Sequence, residues 1–299
     1  MSSLPHNDSP QRDLKPPTAD TVLLVWLFDV LQPMKRSRVK QLLQQGCVHV
    51  NGTPTTQHNH PLKPGDRVTL SRLGTAKSNS LRDANVHIVF EDEHLVVIDK
   101  PTGLLTVATE SERMDTAFVR LKQHLETTRA GRPFVVHRLD RETSGLLLFG
   151  KSVAVRDHLQ SNWDAVSKTY LAVVEGTPAK PDGVIEGFLL EGRDLRVRVS
   201  QDVAGAKWAV TGYRVVSRRG RFTLVEVELE TGRKHQIRVH LASIGCPVIG
   251  DSGYGAQTNP VRRLGLHAWK LACDHPQSGK RLELESPLPD VLRNVVDAR

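Results

Sequence analysis

No apolar run in this chain of 299 residues is longer than seven, Val22 to Phe28. A helix that crosses a bilayer needs about 20. The chain therefore has to bury many short apolar segments against one another, and no membrane association is expected. At 38% hydrophobic and 25% charged residues it has the make-up of a globular protein. Its start, MSSLPHNDSPQRDLKPPT, lacks the apolar centre of a signal peptide, which points to a cytoplasmic protein. Cys47, Cys246 and Cys273 stand far apart, so there is no CxxC pair for a metal or redox centre. Three scattered cysteines fit a reducing compartment.

There are 41 Lys and Arg against 33 Asp and Glu, a net +8. Half of the excess falls in residues 1–75, which hold nine basic and five acidic residues. A basic surplus raises the local concentration of polyanions, making nucleic acid the partner to consider.

The pattern divides the chain. Residues 1–19 read as a polar, flexible tail. Residues 20–75 read as a small α/β module. Asp20 is placed to cap a first helix ended by Pro33, and Ser37 to cap a second helix that Gly46 stops. A strand over Val48–Val50, a turn at Asn51-Gly52 and a second strand over Val68–Leu70 complete it. Residues 76–85 belong to a polar linker. From residue 86 to 299, strands are expected over Val86–Glu91, Leu95–Asp99, Lys168–Glu175, Trp208–Ser217 and Arg221–Glu230. Helices are expected over Asp115–Leu125, Val153–Asn162 and His235–Ile244. The fold class is α+β, with a mixed or antiparallel sheet in the larger body.

Three constellations stand out. Lys35, Arg36, Arg38 and Lys40 crowd the start of the second helix, where they can lie along a phosphate backbone. VHRLDRETSGLLLFGKS, residues 136–152, sets Asp140 between Arg138 and Arg141 and has no GxSxG elbow for a serine hydrolase. ETGRKHQIRVHLASIGCPVIGDSGYG, residues 230–255, carries Arg233, Lys234 and Arg238. His235 and His240 are five apart rather than four, and no HExxH occurs, so no zinc site is expected. Arg238 sits among Ile237, Val239 and Leu241, where a partly buried guanidinium needs an anionic partner that the sequence leaves open.

HRLDRETSG, SKTYLAVVEG and TGRKHQIRVHLASIGCPVIGD together resemble the RluA branch of pseudouridine synthases over about residues 86–290. VVIDKPTGLLT and LHAWKL agree with that family as well, while Gly150 departs from the alanine its members often carry. SRVKQLLQQGCVHVNG followed by LKPGDRV resembles the alpha-L RNA-binding module shared with a small-subunit ribosomal protein, over about residues 20–71.

The resemblance implies a pseudouridine synthase fold and a reaction. Uridine loses its N1–C1′ bond, the uracil turns, and it is rejoined through C5. No electrons are exchanged and no atoms are lost, so no cofactor and no metal are called for. Asp140 becomes the catalytic carboxylate, suited to positive charge at an anomeric carbon. Arg238 is expected to pair with it, Tyr170 to pack on the target base and Leu266 to lie beneath that base. Arg138, Arg141, Arg233 and Lys234 are expected on the RNA backbone, as are Lys35, Arg36, Arg38 and Lys40 of the first module. Ribosomal RNA processing on the large subunit is the expected role, by a monomer whose partner is RNA. The alternatives are a transfer RNA uridine as substrate, or an RNA-binding protein without activity. A glycosidase would want two facing carboxylates, and only Asp140 stands out.

Overall fold

The computed structural model describes residues 12–34, 36–44, 47–70, 86–109, 112 and 114–297. The chain forms two units, divided between Asn85 and Val86.

In the first unit, strands β1 (Arg12–Asp13), β2 (Thr21–Val22), β3 (Val48–Val50), β4 (Thr53–Thr55), β5 (Pro61–Leu62) and β6 (Val68–Leu70) accompany helices α1 (Leu23–Val30) and α2 (Arg36–Gln44). Leu23, Leu27 and Leu31 recur every fourth residue and bury against Val39, Leu42 and Leu43 of α2. The sheet runs β1-β6-β3-β4, and β2 pairs with β5. At the β3–β4 turn Asn51 and Gly52 both have positive φ, the backbone that an Asn-Gly hairpin turn demands.

Three local expectations are corrected here. Asp20 does not cap α1, because Thr21 and Val22 are first drawn into pairing with Leu62 and Pro61, and Val22 takes the cap position. Ser37 lies inside α2, which already begins at Arg36. Residues 12–14 are not tail: Arg12 and Asp13 pair with Leu70 and Thr69, and the Leu14 N–H donates to the Val68 carbonyl. Lys35 and the Gly46 stop lie outside the described residues.

The second unit opens with β7 (His87–Glu91), β8 (Leu95–Lys100), helix α3 (Ala117–Thr128), β9 (Phe134–Val135), β10 (Ser144–Gly150), helix α4 (Val153–Ser161) and β11 (Ser167–Glu175). It continues through β12 (Asp182–Glu191), β13 (Val197–Ser200), β14 (Lys207–Arg219), β15 (Phe222–Leu229), helix α5 (Gln236–Ser243), β16 (Leu266–Asp274), β17 (Arg281–Glu285) and helix α6 (Asp290–Val296). The strands form one mixed sheet in the order β13-β12-β14-β15-β11-β16-β10-β8-β7, with β17 on β16 and β9 on β10. Thr116 and Ser152 cap α3 and α4 through their side-chain oxygens. Among the described residues no helix is long and apolar enough to cross a membrane.

One strand junction decides where the chemistry can sit. β10 runs parallel to β16, with Gly145 opposite Ala268. Gly145 has φ +110°, and a Cβ there would lie 2.2 Å from the Ala268 carbonyl oxygen. Only glycine permits this approach, which brings the start of β10 beside the start of β16. Gly145→Ala is expected to lower stability by about 3 kcal/mol, from overpacking and backbone strain together. Thermal denaturation checks it, and an unchanged midpoint would mean that the sheet opens there without cost.

Candidate active site

Asp140 lies on the loop between β9 and β10, and a neighbouring turn pins that loop from both sides. The Thr106 hydroxyl donates to the Leu139 carbonyl at 2.9 Å and accepts the Leu139 N–H at 3.1 Å. The Gly103 N–H donates to the Arg141 carbonyl at 2.9 Å, and Arg141 Nε returns a bond to the Gly103 carbonyl at 3.1 Å. Beneath them the Lys100 side chain is 0% exposed. Its ammonium donates to the carbonyls of Pro101, Leu104 and Arg141 at 2.9, 2.8 and 3.1 Å. Burial pushes this ammonium down to about 8, against the pull of Glu142 and Asp140. Three carbonyls matched to three N–H donors make Lys100 a staple holding the Asp140 loop to the end of β8.

Tyr170 projects from β11, and its ring packs against the core on either side. Burial, and then the charge of Asp140, push its hydroxyl well above the ordinary phenol range. The phenol therefore stays protonated at neutral pH.

Arg238 comes from α5. Its Nη1 is 3.6 Å from Asp140 Oδ2. The two-bond grip goes elsewhere: Nε and Nη2 donate to Asp251 at 2.6 and 2.9 Å. The expected ion pair with Asp140 is therefore present without a hydrogen bond, and the sequence did not anticipate the second acid. Asp251 has a side chain only 2% exposed, and the desolvated carboxylate takes the fork, leaving one edge of the guanidinium facing Asp140. Burial alone pushes Arg238 down, but the bonds and charge of Asp251 reverse this and raise it. The guanidinium also lies over the Tyr254 ring, 4.8 Å from its centroid.

His235 precedes α5 with φ +54°, a left-handed conformation that costs a non-glycine residue energy. Its Nδ1 is 2.7 Å from the Tyr254 hydroxyl, and its Nε2 is 3.9 Å from Asp140 Oδ2. Burial lowers the imidazole pKa and Asp140 pulls the other way. Gln236, buried next to it, uses all four of its hydrogen-bonding positions. Its oxygen accepts from Thr231 Oγ1 and the Arg233 N–H, and its amide nitrogen donates to the Val210 carbonyl and Thr211 Oγ1. These bonds tie the 231–235 loop to β14.

The chain thus brings Asp140, Tyr170, Arg238 and Leu266 around one cavity of about 100 Å³, with Arg138 and Arg233 on its wall. A larger cavity of about 500 Å³ shares Asp140 and Tyr170 with it and adds Arg141 and Lys234. Lys234 also pairs with Glu191. Arg36, Arg38 and Lys40 belong to the first unit and are exposed on α2. At 3.6 residues per turn, Arg36 and Lys40 flank its buried stripe on one side and Arg38 on the other.

Compared with known families, residues 94–243 match RNA pseudouridylate synthase and residues 26–68 match the S4 domain. A Bacillus subtilis protein called uncharacterised RNA pseudouridine synthase YlyB is 36% identical over 272 residues, covering 88% of each chain. The chain belongs to the RNA pseudouridylate synthase family. The ribosomal large subunit pseudouridine synthase D of Nitrosomonas europaea is 36% identical to this synthase over 287 residues, 91% of this chain and 82% of that one. Among solved structures, human RNA pseudouridylate synthase domain containing 4 superimposes with a TM-score of 0.58 at 27% identity, over 74% of this chain and 97% of that chain. The synthase is an RNA-modifying enzyme that makes pseudouridine, with an RNA-binding S4 domain ahead of its α+β catalytic fold.

Sequence reasoning did not single out Lys100, Thr106, Asp251 or Tyr254. Asp251 and Tyr254 stand inside the quoted motif, and the unassigned partner of Arg238 was a signal for one of them. His137, one residue before Arg138, is a further omission. Its ring stacks on Trp163 at 4.7 Å and its Nε2 accepts the Leu148 N–H at 3.0 Å. Burial, helped by the charge of Lys168, pushes His137 down to about 3.

A histidine held neutral when folded but titrating near 6.5 when unfolded has a clear sign. Its contribution is intact above about pH 6.5 and is lost as pH falls from there towards about 3. The loss from this group approaches about 1.4 kcal/mol per pH unit. His267 and His240 are also shifted down by burial and add to it. Denaturant midpoints measured from pH 7 to 4 are expected to fall less steeply in His137→Phe than in the parent. Parallel slopes would mean that His137 is protonated in the folded state.

Proposed function

We propose that this synthase converts uridine to pseudouridine in large-subunit ribosomal RNA, using Asp140 as its catalytic group. The carrying observation is the convergence of Asp140, Tyr170, Arg238 and Leu266 on one small cavity beside a larger basic one. The ribosomal assignment rests on the S4 domain and on the activity named for the Nitrosomonas relative. We take the working unit to be a monomer. Within it, residues 86–299 carry the chemistry and residues 20–75 hold the RNA.

In this reading the target uridine leaves its stack, at a cost of a few kcal/mol. Arg138 and Arg233 offset part of that cost by meeting its backbone. Leu266 packs against the uracil. As the N1–C1′ bond opens, the Asp140 carboxylate faces the positive charge that grows at the sugar carbon. Arg238, held by Asp251, keeps that carboxylate aimed. The bond lost at N1 is replaced by one at C5. The proton leaves C5 and N1 takes one up, so the nucleotide keeps its composition.

Tyr170→Phe removes only the hydroxyl and keeps the ring that meets the base. RNA affinity is expected to hold, while turnover falls about 10²- to 10⁴-fold, the range for a lost proton-transfer group. A filter-binding assay beside a single-turnover assay separates the two. Affinity that collapses with the hydroxyl would make Tyr170 a positioning residue only.

The proposal is tested by mapping pseudouridines in a deletion strain, and by incubating the purified synthase with large-subunit ribosomal RNA and with transfer RNA. A large-subunit uridine that stays unmodified in the strain and is isomerised in vitro is the expected result. Modification of transfer RNA alone would overturn it.

A further inference from the structure

The larger cavity extends past the catalytic group in a direction the reaction itself does not require. Besides Asp140 and Tyr170 it is lined by Val107–Thr109, Trp163 and Lys168. At about 500 Å³ it has several times the volume of the cavity around Leu266. Lys168 and Tyr170 are two residues apart on β11 and both line it, so they share a face of the strand, about 6.8 Å apart along it.

Lys168 is an unusual residue to find there. It is 8% exposed, and its ammonium makes one hydrogen bond among the described residues, a long one of 3.3 Å to the Trp163 carbonyl. It also sits 5.3 Å from the centroid of the Trp163 ring. An ammonium carries three donors, so two are left over. Among the described residues no carboxylate lies within 4 Å of it. Asp164 is its attractive neighbour, but Asp164 is exposed to solvent and partly screened. Burial accordingly lowers the pKa of the ammonium. Among the described residues the other charged groups lining the cavity are Arg138, Arg141, Arg233 and Lys234, with Asp140 of opposite sign, and His137 is neutral. A half-desolvated cation with spare donors is costly unless an anion meets it.

We propose that Lys168 binds a phosphodiester of the RNA strand next to the flipped uridine, so that the larger cavity is a subsite for the neighbouring nucleotide. The proposal rests on the function proposed above, because it takes the uridine to lie at Asp140. Lysine suits the task as a compact point charge, whereas the base-facing part of the site is built from Tyr170 and Leu266. The Trp163 ring and carbonyl hold the Lys168 ammonium at the cavity lining.

The test uses the full-length chain and an RNA fragment bearing the mapped uridine. Binding is measured at several salt concentrations in an Asp140→Asn background, which needs no turnover. Lys168→Met keeps an unbranched side chain of similar length and removes the charge. It is expected to weaken binding about tenfold, the scale of one charge-assisted bond, and to reduce the log–log salt slope by about 0.7. Lys168→Arg is expected to restore most of both. Two further fragments carry a neutral methylphosphonate at the linkage on the 5′ or the 3′ side of the uridine. One of them is expected to bind the parent about tenfold more weakly while binding Lys168→Met no worse than the unmodified RNA. Equal affinities and slopes for parent and Lys168→Met, or methylphosphonate losses of the same size in both, would overturn the subsite. Failure of the active synthase to isomerise any large-subunit uridine would instead strike the functional proposal, so the two failures are told apart.

Discussion

Asp140→Asn is expected to abolish pseudouridine formation while RNA affinity stays within a few-fold of the parent. The amide has nearly the shape of the carboxylate and lacks its charge, so the positive charge growing at C1′ meets no anion. A loss of at least about 10⁴-fold is expected, roughly 5.5 kcal/mol in the barrier. Stability should hardly change. Among the described residues the Asp140 carboxylate has Arg238 at 3.6 Å and His235 at 3.9 Å, both beyond hydrogen-bond reach, and its side chain is 32% exposed. Single-turnover assays on the mapped fragment, beside a thermal melt, decide the matter. Turnover within about tenfold of the parent, a barrier change of ~1.4 kcal/mol, would take Asp140 out of the catalytic role.

Arg238→Met is expected to fail in two ways at once. Turnover drops because nothing aims Asp140. Stability drops by about 3–5 kcal/mol, because Asp251 is left as a buried carboxylate without its cation. Arg238→Lys keeps the charge and loses the fork, so both effects should be smaller. Combining Arg238→Met with Asp251→Leu replaces the buried pair by apolar side chains, which is often neutral for folding. The double variant should regain most of the stability and none of the turnover. Denaturant titrations with single-turnover rates on all four proteins give the comparison. If Arg238→Met lost turnover with its stability intact, Asp251 would not be the partner that holds it.

That pair shows how far the sequence could be read. A guanidinium among Ile237, Val239 and Leu241 had to have an anion, and this much followed from burial alone. Which anion it was depended on a contact thirteen residues further along, where the chain folds back after α5. Lys100 is a clearer case. A lysine at the end of a strand reads as exposed, and it is buried because three carbonyls from two different loops point at one position.

In the first unit local signals competed. Asp20 was a good cap, but pairing between β2 and β5 began one residue later and moved the helix start. In the second unit β9, β12, β13, β16, β17 and helix α6 went unread. The expected strands and helices there begin and end within three residues of those observed.

Two-part organisation, α+β class, family membership and the residues that converge on the cavity were all legible along the chain. Each of these rests on periodicity, on turn residues or on motifs that lie within a short stretch of chain. Only the folded chain shows which acid Arg238 grips, why the Asp140 loop keeps its place and which residues line the larger cavity. These depend on contacts between distant segments, such as Gly145 with Ala268 and Tyr254 with His235. Their geometry is set by how the strands stack into one sheet, and no local pattern of residues carries it.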